Sequence, residues 1–354
     1  MRQTFAIAVT TALVLTGCSV SGSESDPTDG PETAGGTKTV TLVTHNSFSV
    51  PKKLLQAFEK KSGYRVKVSK SGDGGEVANK LVLTKKKPLG DVAFGIDNTY
   101  ATRVAGKDVL TPYASPAMAP SAKEFLIEGK GAKELTPIDH ASTCVNIDTT
   151  WFAKKNIAPP KTLGDLTKAK YKNLTVVPGA PTSSPGLAML LATVGAYGES
   201  GWQGYWKKLV ANGVKITSGW EDAYNVDFSQ GDGKGNRPIV WSYDTSPAFT
   251  VKNGKTSSRA LLDTCFRQVE YAGILKGAQN VKGAKALIDW MSGKTFQESL
   301  PENMYVFPVN DQITLPKDWA NFAKQSSKPI TVSPQKIDQN RTAWLRSWQE
   351  ITSQ

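Results

Sequence analysis

Val240-Trp241-Ser242-Tyr243-Asp244-Thr245-Ser246-Pro247 begins as a buried strand, with Ile239 before it, and turns into hydroxyls and a carboxylate before a proline ends it. In an open α/β sheet, polar residues just past the C-terminal end of a strand line the ligand crevice. Two upstream stretches have the same character: Thr182-Ser183-Ser184-Pro185-Gly186 and Gly219-Trp220-Glu221-Asp222-Ala223-Tyr224. Each alone reads as a polar turn. Three of them with aromatics interleaved predict a small-molecule site.

The strands that deliver these turns alternate with helices. Thr39 to Thr44, Arg65 to Val68 and Asp91 to Gly95 read as strands, separated by a helix on Leu54, Leu55 and Phe58 that stops at Gly63 and another on Val77, Leu81 and Leu83. A βαβαβ order predicts a parallel sheet whose strand-end loops, at 45–48, 72–75 and 96–99, share one rim. Downstream, Cys144 to Ile147, Leu174 to Pro178, Val214 to Ile216, Ile239 to Trp241 and Arg267 to Tyr271 read as strands. Leu187 to Tyr197, Trp202 to Leu209 and a segment with Ala284, Leu287, Ile288 and Trp290 read as helices. The tail from Arg341 to Ile351 places Trp344, Leu345, Trp348 and Ile351 on one helical face. Two α/β lobes with a crevice between them are expected.

Residues 1–17 read as a leader: Arg2 gives a short positive start, and Thr4 to Thr16 is apolar but too short for a membrane span. Leu15-Thr16-Gly17-Cys18 matches a bacterial lipobox, with Cys18 as the lipidated residue. Residues 18–38 are rich in Gly, Ser, Pro and acids, a flexible tether with a reach of ~25 Å. About 315 residues remain, enough for two lobes. The net charge of +12 comes from scattered lysines rather than a basic helix with regular arginines, which disfavours nucleic acid and fits a solvated surface beside anionic lipid.

Only two histidines, His45 and His140, leave few candidates for a triad or a histidine metal site. No Gly-x-Ser-x-Gly elbow, P-loop or His-Glu-x-x-His occurs, and Gly231-Asp232-Gly233-Lys234-Gly235 lacks P-loop spacing and reads as an exposed loop. Ser183 and Ser184 precede a helix opened by Pro185-Gly186, whose first amides form an anion site. Trp220 and Tyr224 are placed to stack on a flat, cationic ring. Asp73, Asp97 and Asp244 fall at loop positions, where they balance a positive ligand or, for Asp97 above all, cap a helix.

The chain resembles the thiamine-binding substrate-binding proteins of ABC transporters, from about Val40 to Gln349. The resemblance is carried by Gly95-Ile96-Asp97-Asn98, Thr182 to Leu187, Gly219 to Tyr224, Ser242 to Ala248, Gln268-Val269-Glu270, Arg341-Thr342-Ala343-Trp344 and Trp348-Gln349. It implies a two-lobed periplasmic-binding-protein fold of type II-like class, with one lobe from 39–140 and 266–310 and the other from 141–265 and 311–354. It implies ligand contacts from Asp73, Gly74, Ser183, Ser184, Trp220, Tyr243, Asp244, Thr245 and Ser246, with Asn46, Phe249 and Tyr305 at later or altered positions of the pattern. The family's Tyr-Asp before Ser-Phe is His45-Asn46 here, Asp244 replaces a common threonine, and Tyr305 stands where tryptophan is common. Implied partners are thiamine or a thiamine phosphate, the permease subunits of an importer, and the membrane through the N-terminal lipid. No cofactor or metal is called for, and a monomer is expected. The rivals are a polyamine or ferric-ion binder and a secreted hydrolase using Ser183 or Ser184 with His140 as base. Cys144 and Cys265, the two thiols left in an exported body once Cys18 is acylated, are expected to bridge neighbouring strands where the chain passes between lobes.

Overall fold

The structure, a computed structural model, describes residues 38–129 and 131–353. The leader, the Cys18 lipobox and the tether lie outside the described residues.

The first unit is the expected βαβαβ. Strand β1 (Thr39–Thr44) buries Val40, Leu42 and Val43, and helix α1 (Lys52–Ser62) buries Phe58. Gly63 ends α1 with φ 75°, a left-handed cap that costs glycine little. Strand β2 (Arg65–Lys70) is the exposed edge, helix α2 (Gly74–Leu83) follows Asp73 as its cap, and β3 (Val92–Asp97) is buried throughout. Strand β1 pairs in parallel with both β2 and β3. Leu83, expected on the core face of α2, is exposed at its last turn.

Strand β4 (Thr136–Asp148) is buried along all thirteen residues, far longer than the stretch from Cys144 to Ile147. Its first half, Thr136-Pro137-Ile138-Asp139-His140, carries no apolar period. Neighbours on both sides supply the burial instead. Strand β5 (Thr175–Pro178) leads into helix α3 (Ser184–Ala211), which breaks at Gly198 (φ 68°, ψ 178°) between the two helical stretches read from the sequence. Strand β6 (Lys215–Thr217) pairs in parallel with β5. Strand β7 (Ile239–Tyr243) pairs in parallel with β5 and antiparallel with β4. Strand β8 (Phe266–Leu275) runs antiparallel to both β3 and β4.

These eight strands, with three short ones pairing at the side, form one sheet whose main path runs β2-β1-β3-β8-β4-β7-β5-β6, so parallel groups at the two ends meet through the long antiparallel strands β8 and β4. Helices α4 (Val281–Ser292) and α5 (Lys294–Asn303) close one core over β1, β3 and β8, with Phe58, Phe94, Leu287 and Phe296 inside. Helix α6 (Pro334–Thr352) lays Trp344 and Trp348 into another core, where Trp348 meets Trp206 of α3 edge-on at 5.4 Å. Cys144 at β4 and Cys265 just before β8 form a disulfide with Cα atoms 4.2 Å apart.

Candidate functional site

The C-terminal ends of β1 and β2 and the turns after β5, β6 and β7 converge on one cavity of about 410 Å³. Of the residues expected there, Asn46, Asp73, Gly74, Ser184, Trp220, Tyr243, Thr245, Ser246, Phe249 and Tyr305 line it. Loops 45–48 and 72–75 reach the rim, whereas loop 96–99 turns inward. There Asp97 accepts from Thr99 N and Oγ1 and from Tyr100 N, a capping role.

The opening turn is built to hold one ring. Trp220 donates its indole N–H to Ser242 Oγ at 2.9 Å, and Ser242 Oγ is itself 2.8 Å from Ser246 Oγ. Its ring stacks on Tyr224 at 5.1 Å with planes 11° apart and meets Tyr243 edge-on at 5.8 Å. Tyr224 is buried beneath Trp220 with only an edge on the cavity, so it backs the tryptophan. Phe249 and Tyr305 extend the wall, 5.2 Å apart and edge to face. Tyr305 has φ 55°, a conformation that costs a bulky residue ~1–3 kcal/mol and is held only where the surroundings over-determine it.

Asp73 joins three segments. Its Oδ1 accepts from Gly74 N at 2.6 Å and Ser184 N at 3.1 Å, and its Oδ2 accepts from Trp220 N at 2.9 Å. The anion site expected at the start of α3 is therefore filled by the chain's own carboxylate. Burial pushes this carboxyl up, with the Trp220, Ser184 and Gly74 amides and the Ser183 hydroxyl pulling back. The approach requires glycine: a Cβ on Gly74 would stand 2.2 Å from Ser184 Oγ, and one on Gly75 2.7 Å from the Thr182 carbonyl. Ser47 Oγ also donates across the cavity to Glu221 at 3.1 Å.

Ser183 and Asp244 are not brought to the cavity wall. Ser183 is fully buried as the cap of α3, its hydroxyl accepting from Gly186 N. Asp244 points to β4, where it accepts from Ser142 N, and burial pushes its carboxyl up to about 7. His140 lies between the rings of Phe125 and Phe307, with burial and then Arg267 lowering it to about 3, and it does not line the cavity that Ser184 lines.

Sequence reasoning passed over several carboxylates. Glu76, Glu221, Asp222, Asp232 and Glu270 line the cavity with Asp73, and no lysine or arginine does. In a chain of net charge +12, six acids around one cavity give it a local excess of negative charge. Asp232 comes from the glycine-rich loop. Glu270 lies between Val269 and Tyr271 in a strand that also carries Arg267 and Gln268, so its charge did not stand out. His45 Nε2 stands 3.6 Å from Glu270 Oε2; burial alone would lower this imidazole, but the nearby charge of Glu270 prevails and raises it. Among the described residues no group of three or more His, Cys, Asp or Glu is placed to hold a metal, and no helix is long and apolar enough to cross a membrane.

Residues 87–340 match the family described as bacterial extracellular solute-binding protein. The thiamine-binding periplasmic protein of Salmonella typhimurium is 28% identical over 323 residues, 89% of this chain and 93% of the relative. That of Brucella suis is 29% identical over 329 residues, covering 89% and 92%. A solved periplasmic thiamin binding protein superposes with a TM-score of 0.75 at 24% identity, over 89% of this chain and 96% of its own. That likeness gives the fold, a mixed α/β two-lobed periplasmic-binding-protein architecture.

Proposed function

We propose a ligand on the premise that the chain belongs to the bacterial extracellular solute-binding protein family: its cleft captures thiamine, or a thiamine phosphate, outside the cytoplasm and delivers it to the permease of an ABC importer. The observation that carries this reading is a cavity walled by Trp220, Tyr243, Phe249 and Tyr305 and lined by six carboxylates with no lysine or arginine. An aromatic, permanently cationic molecule needs both: ring faces worth ~0.5–2 kcal/mol each to a cation, and carboxylates to balance its charge. Relatives named as thiamine-binding support the choice of cation. The role is capture without catalysis.

The lobes of this reading are 39–140 with 266–310 and 141–265 with 311–354, and the ligand lies between them. Because Asp73 holds the Ser184 and Trp220 amides, a phosphate must displace it, which favours thiamine over its phosphates. The leader directs export, Cys18 carries the lipid, and residues 18–38 tether a monomeric body to the outer face of the cytoplasmic membrane. Titration calorimetry of purified protein with thiamine tests the ligand; undetectable binding ends the reading. Cys18→Ala should leave the protein made but shed from membranes, and full membrane retention by that variant would remove the lipid anchor from it.

A further inference from the structure

Three carboxylates stand in one row across the centre of the sheet. Glu270 on β8 is registered against Asp97 on β3 at one side and Asp139 on β4 at the other. Directly opposed residues on neighbouring strands send their side chains to one face, and like charges so placed repel. All three are buried, and only Glu270 reaches the cavity. Neither carboxylate oxygen of Asp139 has a hydrogen-bond donor, nor does Oδ2 of Asp97. The imidazole of His45 stands 3.6 Å from Glu270.

The remaining charged or titratable groups that face the row do not neutralise it. Asp73 and Lys70 act on His45 with opposite signs. Tyr243 of β7 feels Glu270 and Asp97, Tyr100 and Tyr271 feel Asp97, and Arg341 of α6 acts on the Asp97 end. Arg267 acts on His140 and Asp244. Three carboxylates beside one imidazole cannot all ionise in so dry a setting.

We propose that Glu270 is the carboxylate that receives the ligand's positive charge, and that Asp139 and Asp97 beside it store protons that capture expels. The inference rests on the reading of the cavity as a cation-capturing site. The balance is simple: a cationic ligand enters, a carboxylic acid of the row loses its proton to solvent through the cleft, and the carboxylate left behind is neutralised by the ligand. Burial first, and then the Glu270 charge, push Asp97 up to about 7 and Asp139 well above the usual carboxylate range, so protons are there to lose. The direction follows. A bound cation lowers the carboxyl pKa, so protons compete with the ligand and affinity rises with pH, by up to ~10-fold per pH unit for each proton released.

The test is calorimetry at pH 6.5 in two buffers of different ionisation enthalpy, with thiamine and with thiochrome, its uncharged oxidised form. Wild type should release protons on binding thiamine and none on binding thiochrome. Asp139→Asn with Asp97→Asn should bind thiamine with that release gone and a flat pH profile. Glu270→Gln should weaken thiamine ~10-fold or more, the loss of one charged partner, and thiochrome less than threefold. An infrared band of a protonated carboxyl in the free protein, missing from the double variant, reports the store without any ligand. Thiamine binding without proton exchange overturns the inference and leaves the ligand standing. So does release that persists in the double variant, or release that His45→Asn alone abolishes. Absence of thiamine binding ends both readings.

Discussion

Asp73→Ala removes, in one step, the acceptor of three backbone N–H groups. Gly74 lies beside Asp73 in the chain and keeps its place at the start of α2. The amides of Ser184 and Trp220 come from the other side of the cleft and lose their acceptor, although Glu76 N of α2 still donates to the Thr182 carbonyl at 3.0 Å. A hydrogen bond to a charged group contributes ~1.5–3 kcal/mol, so the two cross-cleft bonds amount to ~3–6 kcal/mol. Burying the carboxylate, which pushes its pKa up, takes part of that back. A net loss of ~2–3 kcal/mol remains, a ~30–150-fold weaker grip on thiamine. The variant also uncovers amides at the N-terminus of α3, where a phosphate finds ready donors. Thiamine monophosphate should therefore lose at least ~10-fold less affinity than thiamine, since the charge-assisted bonds return in another form. Calorimetry with both ligands on wild type and variant decides it. Equal losses, or a loss below threefold for thiamine, would refute the idea that Asp73 clasps the cleft and fills its anion seat.

Other consequences are open to measurement. Cys144→Ser with Cys265→Ser opens a loop spanning 121 positions and should cost ~4–5 kcal/mol of unfolding free energy, with a change under 1 kcal/mol counting against the bridge as a stabiliser. Trp220→Ala, which loses the ring, the indole bond to Ser242 and the stack on Tyr224, should weaken thiamine by ~1–3 kcal/mol, and unchanged affinity would remove Trp220 from the site. Asp244 has a folded-state pKa of about 7, above its unfolded value, so the folded state holds the extra proton and stability falls as pH rises through the interval between them. Asp244→Asn keeps the shape and the acceptor for Ser142 N, so it should lose ~2–3 kcal/mol less than wild type between pH 5 and pH 8 in chemical unfolding; identical slopes would mean that this carboxyl is ionised throughout.

The sequence made the elements legible where a period was present. Val40 and Leu42 alternate, Phe58 follows Leu54 at helical spacing, and Trp344, Trp348 and Ile351 share a face, and each lies where its pattern puts it. The first half of β4 was not legible, because Thr136 to His140 carry no apolar period and strands on both sides bury Asp139 and His140. The turns of the site announced themselves by composition, yet composition cannot tell Ser183 from Ser184; one step along the chain turns one hydroxyl into a cap and the other to the cavity. Asp73 was read as a counter-charge or a cap, and its reach across the cleft depends on how closely Gly74 and Gly75 let two turns approach. The carboxylate row was hidden because Asp97, Asp139 and Glu270 meet only through strand register, which no local pattern records.

The bridge between Cys144 and Cys265 also divides the chain into two kinds of territory for a protease. A cut anywhere from 145 to 264, such as at the exposed tip Asp232-Gly233-Lys234, leaves both pieces in one covalent molecule, because each still carries one half-cystine. A cut outside that interval leaves no such link. Damage at this exposed tip would thus be silent on a non-reducing gel and visible on a reducing one, and the nicked protein stays one covalent molecule.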